Sequence, residues 1–184
     1  MNKKLIKTLV IWGVIIAIVV TAIVLLVTVV NKKEEAPVYQ IEGTTLVQYN
    51  GKDVDVVIPK EVKMVGKHAF KNNTNVQTVT FESGSQVEKI AMGAFESCAG
   101  LQEITFPSTI KEISDYAFLD CVSLKRLEMP SDLVRIGKSA FDGCANLADI
   151  ELNEGLEVID DFALANCPAL IQVFLYFYLL ILAG

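Results

Sequence analysis

One repeated phrase limits what this chain can fold into. Ala69-Phe70, Ala94-Phe95, Ala117-Phe118, Ala140-Phe141 and Ala163-Leu164 recur at spacings of 25, 23, 23 and 23 residues. Five residues before each aromatic (or Leu164) stands Val65, Ile90, Ile113, Ile136 or Ile159. Six residues after it stands Val76, Leu101, Leu124, Leu147 or Leu170, and nine after it Val79, Ile104, Leu127, Ile150 or Val173. Eleven after it comes Phe81, Phe106, Met129, Leu152 or Leu175. A fixed period of this length with a constant apolar skeleton predicts a solenoid, in which one coil cannot bury its own face and stacked coils can.

Around the nine-residue offset, apolar and polar positions alternate, as in Leu101, Ile104 and Phe106 against Glu103 and Thr105. Alternation of period two fits a half-buried strand. Successive strands would stack in parallel about 4.8 Å apart. The prolines after Ile58, Phe106 and Met129 end these strands where no further ladder donor is wanted. Ala-Phe would sit on a short helical turn with its ring filling the coil, and pairs such as Ile110/Ile113 would line the opposite wall. The expected fold is therefore a leucine-rich-repeat solenoid, a parallel β ladder with short helical turns. Thr44–Tyr49 and Val54–Ile58 flank Asn50-Gly51, which reads as a hairpin with a type I′ turn. That hairpin would cap the array's bare amino-terminal edge, its second strand forming the first rung.

Residues 9–30 carry no charge and follow Lys3, Lys4 and Lys7. Such a stretch can span a hydrocarbon core of roughly 30 Å as one helix. A cleavable signal peptide is the rival, with an apolar region of about 7–15 residues and a small-x-small site. Val29-Val30-Asn31-Lys32-Lys33 is a poor site, so an uncleaved transmembrane signal anchor is the expectation. Three lysines and the terminal amine against Lys32 and Lys33 favour a cytoplasmic amino end. The expected organisation is a short cytoplasmic tail (1–8), the anchor (9–30), a linker (31–37), the repeat domain with its cap (38–175) and an apolar tail (176–184). For the tail three readings stand: a truncated array end, a hydrophobic cap, or a second membrane contact.

Residues 106–124, beginning Phe106-Pro107-Ser108-Thr109-Ile110-Lys111-Glu112-Ile113-Ser114-Asp115-Tyr116-Ala117-Phe118, closely resemble the BspA-like class of leucine-rich repeat. The resemblance extends over residues 46–175, and its last copy departs from the pattern, with Leu164 and Tyr176 in place of the aromatic and the proline. It implies a cell-surface protein that binds host or neighbouring-cell proteins, and a class with no catalytic residues to carry over.

Charge and chemistry narrow the function further. From Ala36 onward there are 20 acidic and 11 basic residues, about nine net negative charges, which excludes a nucleic-acid binder. His68 is the only histidine, so neither a catalytic triad nor a histidine metal site has its parts. Glu151, Glu154, Glu157, Asp160 and Asp161 lack the spacing and glycine of a calcium loop and read as a solvated acidic face. Cys98, Cys121, Cys144 and Cys167 share one column with Asn73. No C-x-x-C pair exists, which argues against zinc. Disulfides between coils remain open, but Asn in the same column favours a structural ladder of small buried side chains that bond loop backbone.

The two outward strand columns hold the candidate contacts: Thr78, Glu103, Arg126 and Asp149 in one, Thr80, Thr105, Glu128 and Glu151 in the other. Neither column repeats, whereas the inward columns do. The sequence thus points to a membrane-anchored cell-surface protein with its repeat domain outside the cytoplasm. It would bind an extracellular protein or another cell-surface macromolecule through the exposed β face, in adhesion or host- or neighbour-cell contact, without catalysis, metal or cofactor. The alternative is a structural spacer or envelope component that binds nothing.

Overall fold

The computed structural model describes residues 19–21 and 38–170. The chain divides into two units, residues 1–36 and 37–184. In the first, residues 19–21 are helical. Among the described residues no helix is long and apolar enough to cross a membrane. Most of the expected anchor (9–30) lies outside the described residues, as do the tail 1–8, the linker 31–37 and the segment 176–184.

Residues 38–170 form a β-solenoid, and three walls enclose its core. The first wall contains the strands expected from period-two alternation: β3 (Asp55–Ile58), β5 (Thr78–Phe81), β7 (Glu103–Ile104), β9 (Arg126–Glu128) and β11 (Asp149–Glu151). They pair in parallel and in register, Val56 with Val79 with Ile104, and Leu127 with Ile150. This wall is divided: β3-β5-β7 form one sheet and β9-β11 another.

The second wall consists of short strands: β4 (Met64–Val65), β6 (Lys89–Ile90), β8 (Glu112–Ile113), β10 (Arg135–Ile136) and β12 (Val158–Ile159). Stacked in parallel behind β1 (Tyr39–Glu42) and β2 (Thr45–Tyr49), they complete a continuous seven-stranded sheet. The amino-terminal hairpin is therefore β1–β2, turning at Gly43 (φ 62°), and not a hairpin about Asn50-Gly51. β2 and β3 belong to different sheets. Local turn propensity at Asn50-Gly51 gives way to packing: a Cβ on Gly51 would lie 2.3 Å from the Tyr49 hydroxyl, so glycine is needed there for close approach. The hairpin still covers an array edge, but on the second wall, where Leu46 extends the Val65–Ile90 column.

The third wall corrects the expected helical turn. Phe70, Phe95, Phe118 and Phe141 each donate their backbone N–H to the next coil's alanine carbonyl, at 2.7–2.8 Å. Two residues before and two after each phenylalanine, the backbone enters the left-handed region. His68, Gly93, Tyr116, Ser139 and Phe162 have φ of 49–61°, as does the second column, Asn72, Ser97, Asp120 and Asn166 at 51–61° and Gly143 at 76°. Those reversals turn alternate N–H groups outward, so His68 bonds Met92 and Asn72 bonds Glu96 in the next coil. The intervening Ala69, Lys71 and Asn73 close tight turns onto Gly66, His68 and Phe70. A continuous helix would direct every N–H back along its own coil; here half of them tie coil to coil.

Inside these walls the aromatic rings stack. Phe70–Phe95, Phe95–Phe118 and Phe118–Phe141 centroids lie 4.7, 5.0 and 5.1 Å apart, with interplanar angles of 14°, 6° and 7°. The hairpin extends the column with Tyr49, 4.9 Å from Phe70, and Tyr39, 5.3 Å from Tyr49. Phe118 is fully buried, has a ring on either side and takes the edge of Phe106 at 6.0 Å. Phe118→Ala should therefore cost about 3–5 kcal/mol in urea unfolding. Phe141→Ala should cost less, because the column continues past it only as Leu164.

Candidate binding face

All eight candidate contacts lie on the first wall. Thr78 is half-buried, and Thr80, Glu103, Thr105, Arg126, Glu128, Asp149 and Glu151 are exposed. Inward residues of the same strands are buried, among them Val79, Ile104, Leu127 and Ile150. Parallel in-register pairing is what brings each outward residue beside its counterpart one coil away.

The outward side chains do not behave as one set. The Thr78 hydroxyl donates to Asp55 at 2.5 Å. Arg126 is drawn toward the next coil, its Nε 3.3 Å from Asp149 and its terminal nitrogen on Glu151. Both pairs are more than half exposed, so each contributes little to stability; together they neutralise the one cation in these two columns. Glu103 and Glu128 have no side-chain partner among the described residues. Lys125, just before β9, donates to Gln102 Oε1 at 2.9 Å, and Gln102 in turn to Gln77 at 3.2 Å.

A second charged array lies on the seven-stranded sheet, and the sequence reading did not pick it out. Lys89, Glu112 and Arg135 occupy one outward column at successive coils. Glu112 accepts from Lys89 Nζ at 2.9 Å and from Arg135 at 3.2 Å, and Arg135 also reaches Asp115 and Asp160. Burial works against ionisation of Glu112, but hydrogen bonds from Lys89 and Ser114, with the Lys89 and Arg135 charges, hold its carboxyl below the usual value. The signal was present in the sequence as a charge that alternates at a 23-residue interval.

The cysteines are free and buried. Each thiol donates to the carbonyl of the previous coil's phenylalanine: Cys98 to Phe70 at 3.0 Å, Cys121 to Phe95 at 3.1 Å, Cys144 to Phe118 at 3.3 Å and Cys167 to Phe141 at 3.2 Å. The same carbonyls accept the backbone N–H three residues on, so each has two donors. In the first coil Asn73 instead accepts from the backbone of Asn75 and Val76. Burial pushes the Cys98 thiol up to about 12 and raises the other three. Among the described residues no group of His, Cys, Asp and Glu side chains could hold a metal ion. His68 lies 3.5 Å from Glu96 and belongs to the left-handed column.

Three walls, an aromatic column and a period of 23 residues define a leucine-rich-repeat solenoid. The family model described as BspA type leucine rich repeat region (6 copies) matches residues 63–177, and the chain belongs to that family. Its members are often surface-associated and generally non-enzymatic. The crystal structure of the T. pallidum leucine-rich-repeat protein is similar at 30% identity and a TM-score of 0.69, covering 74% of this chain and 69% of that one. The pneumococcal vaccine antigen PcpA (22%, TM-score 0.54) and a leucine-rich cell surface protein from Faecalibacterium prausnitzii (21%, TM-score 0.57) share the fold. This chain matches 67% and 71% of its own length to them but spans only 36% and 47% of theirs. Comparison with functionally curated proteins finds no match.

The thiol ladder makes stability pH-dependent. A thiol whose folded pKa lies above its ordinary 9.0 favours the folded state below pH 9. That contribution is lost as the pH rises from 9 through the folded value, because the unfolded chain releases protons the folded one keeps. Unfolding free energies from urea titration should fall above pH 9, by up to about 1.4 kcal/mol per pH unit for each thiol that stays protonated in the folded state. Cys98→Ala should remove one thiol's share of the slope, and an unchanged slope would contradict the ladder.

Proposed function

We propose that this is a membrane-anchored surface protein whose β face binds a macromolecular partner, an extracellular protein or another cell-surface component. Membership of a family whose members are often surface-associated supports the location. One observation carries the binding reading: inward side chains stay apolar from coil to coil, whereas one outward column of the same strands changes at every coil (Asp55, Thr78, Glu103, Arg126, Asp149) and the other shifts from Thr80 and Thr105 to Glu128 and Glu151. A rigid backbone that presents such a mixed row of side chains suits recognition, and Glu103 and Glu128, without side-chain partners among the described residues, favour a basic partner surface. Residues 9–30 would supply the anchor and place the repeats outside the cytoplasm. The competing reading, a spacer, draws on Arg126: already paired with Asp149 and Glu151, it is no free anchor for a partner.

Topology is checked by adding protease to intact spheroplasts. The repeat domain should be digested while the membrane fraction keeps the amino-terminal segment through a high-salt wash; a protected domain reverses the orientation.

Binding is checked with beads that carry the full chain, presented to intact cells and to purified matrix proteins. Glu103→Lys with Thr105→Lys and Glu128→Lys should abolish capture while shifting stability by about 0.5 kcal/mol or less at each exposed site. Lys138→Glu with Glu157→Lys, both exposed and outside the first wall, should leave capture intact. Equal capture by all three proteins sinks the β-face assignment, and no capture by any of them favours the spacer.

A further inference from the structure

The first wall is not one ladder. β7 pairs only with β5, and β9 only with β11. Lys125 still donates its N–H to Gln102 at 3.2 Å, but beyond that point the strands diverge. Thr105 turns its N–H to Val79 on one side, and Met129 turns its N–H to Glu151 on the other. A wedge of about 630 Å³ opens between them, with Ile104, Phe106 and Met129 among its apolar lining and Glu103 and Glu128 among its polar lining. Arg126 also lines it, but its guanidinium is held by Asp149 and Glu151.

The wedge continues. A second depression of about 410 Å³ shares Thr105, Phe106 and Ser108 with it and runs on to the segment from Glu82 to Gln86. That segment contains the two extra residues behind the single 25-residue spacing, and it turns at Gly84 with φ 82°. The one departure from the repeat length thus forms the far wall of a track that begins where the ladder divides. Glu82 adds a third carboxylate, which accepts the Lys60 backbone N–H at 2.9 Å.

We infer that this track binds an extended protein segment bearing a lysine or arginine, whose charged head meets Glu103 and Glu128 while its methylene stem lies on the half-buried Phe106, with the edges of the buried Ile104 and Met129 behind it. The inference rests on the β-face reading above and names the chemistry of the partner. Charge complementarity favours a basic occupant: Glu103 and Glu128 have no side-chain partner among the described residues, Arg126 is held by Asp149 and Glu151, and the Lys125 ammonium, which also lines the wedge, is drawn onto Gln102. Length selects an extended one: rungs about 4.8 Å apart make the track from β5 to β9 about 10 Å long, or three residues of extended chain. A long aliphatic stem ending in a cation fits a floor of apolar side chains under an acidic rim.

The test uses the immobilised full chain and fluorescent peptides of Thr, Val and Ser whose central residue is Lys, Arg, Gln or Glu. Lys and Arg peptides should bind at least about tenfold more tightly than the Gln peptide, a preference that weakens with added salt, and the Glu peptide should bind least. Glu103→Gln with Glu128→Gln should erase the difference between Lys and Gln peptides without moving the unfolding midpoint. Asp149→Asn with Glu151→Gln leaves the track's acids in place but releases Arg126 toward them, and should also weaken the Lys peptide. Equal binding of Lys and Gln peptides, or discrimination that survives the Glu103/Glu128 variant, overturns the inference. If capture by the β face fails in the Glu103/Thr105/Glu128 lysine variant while peptide discrimination is absent, the face binds by other chemistry and only this inference falls. Capture that survives that variant removes the β-face reading itself.

Discussion

The hydrogen bond from each phenylalanine N–H to the next coil's alanine carbonyl sets the register on which the rest of the molecule depends. At 2.7–2.8 Å it recurs through four coils and fixes both the rise and the rotation between neighbours. With the backbone held so, rings one coil apart fall into near-parallel contact at 4.7–5.1 Å. The thiol of one coil likewise reaches the carbonyl of the previous phenylalanine. The residues in left-handed conformation are what expose those N–H groups to the next coil. For a non-glycine residue that conformation costs about 1–2 kcal/mol, and the bonds between coils offset it.

In-register stacking also imposes a rule on charge. A residue placed outward meets the same position one coil above and below, so like charges repel along a column. The seven-stranded sheet obeys this with Lys89, Glu112 and Arg135 in alternation. The first wall obeys it incompletely. Arg126 satisfies Asp149 and Glu151, whereas Glu103 and Glu128, beside the place where the sheet divides, have no side-chain partner among the described residues. Electrostatics thus separates a column that consolidates the fold from one that leaves charge for something else.

The side chains repeated at fixed offsets were legible in the sequence, because each inward column demands the same shape in every coil. The first-wall strands, the phenylalanine column and the existence of an amino-terminal cap follow from that. What backbone conformation alone controls was not legible. His68, Gly93, Tyr116, Ser139 and Phe162 share a left-handed φ yet nothing in side-chain chemistry, so no pattern of residue types marks their column. The strands of the second wall offer two residues each, too few for a periodic signal. Asn50-Gly51 carries a strong local turn preference that packing against Tyr49 overrides, and the true turn at Gly43 is flanked by a less regular pattern. At the candidate face, the outward placement of the side chains was legible but their pairing was not. That Arg126 is engaged, and that β7 and β9 diverge, depends on how adjacent coils lean.

The pairing of the hairpin determines how the repeat domain would respond to force applied along the chain. In β1–β2, Tyr39 faces Tyr49 at the open end and Glu42 faces Thr45 at the turn. A pull on the chain before Tyr39, resisted by the coils after Asn50, loads that open end first. The pairs then give way in succession, as a zipper does, instead of sharing the load as in shear. The coil stack behind them is spared until the hairpin has opened, and the first rings to separate are Tyr39 and Tyr49, outside the phenylalanine column. Under such a load the cap would act as an extensible fuse, lengthening while the first wall keeps its shape.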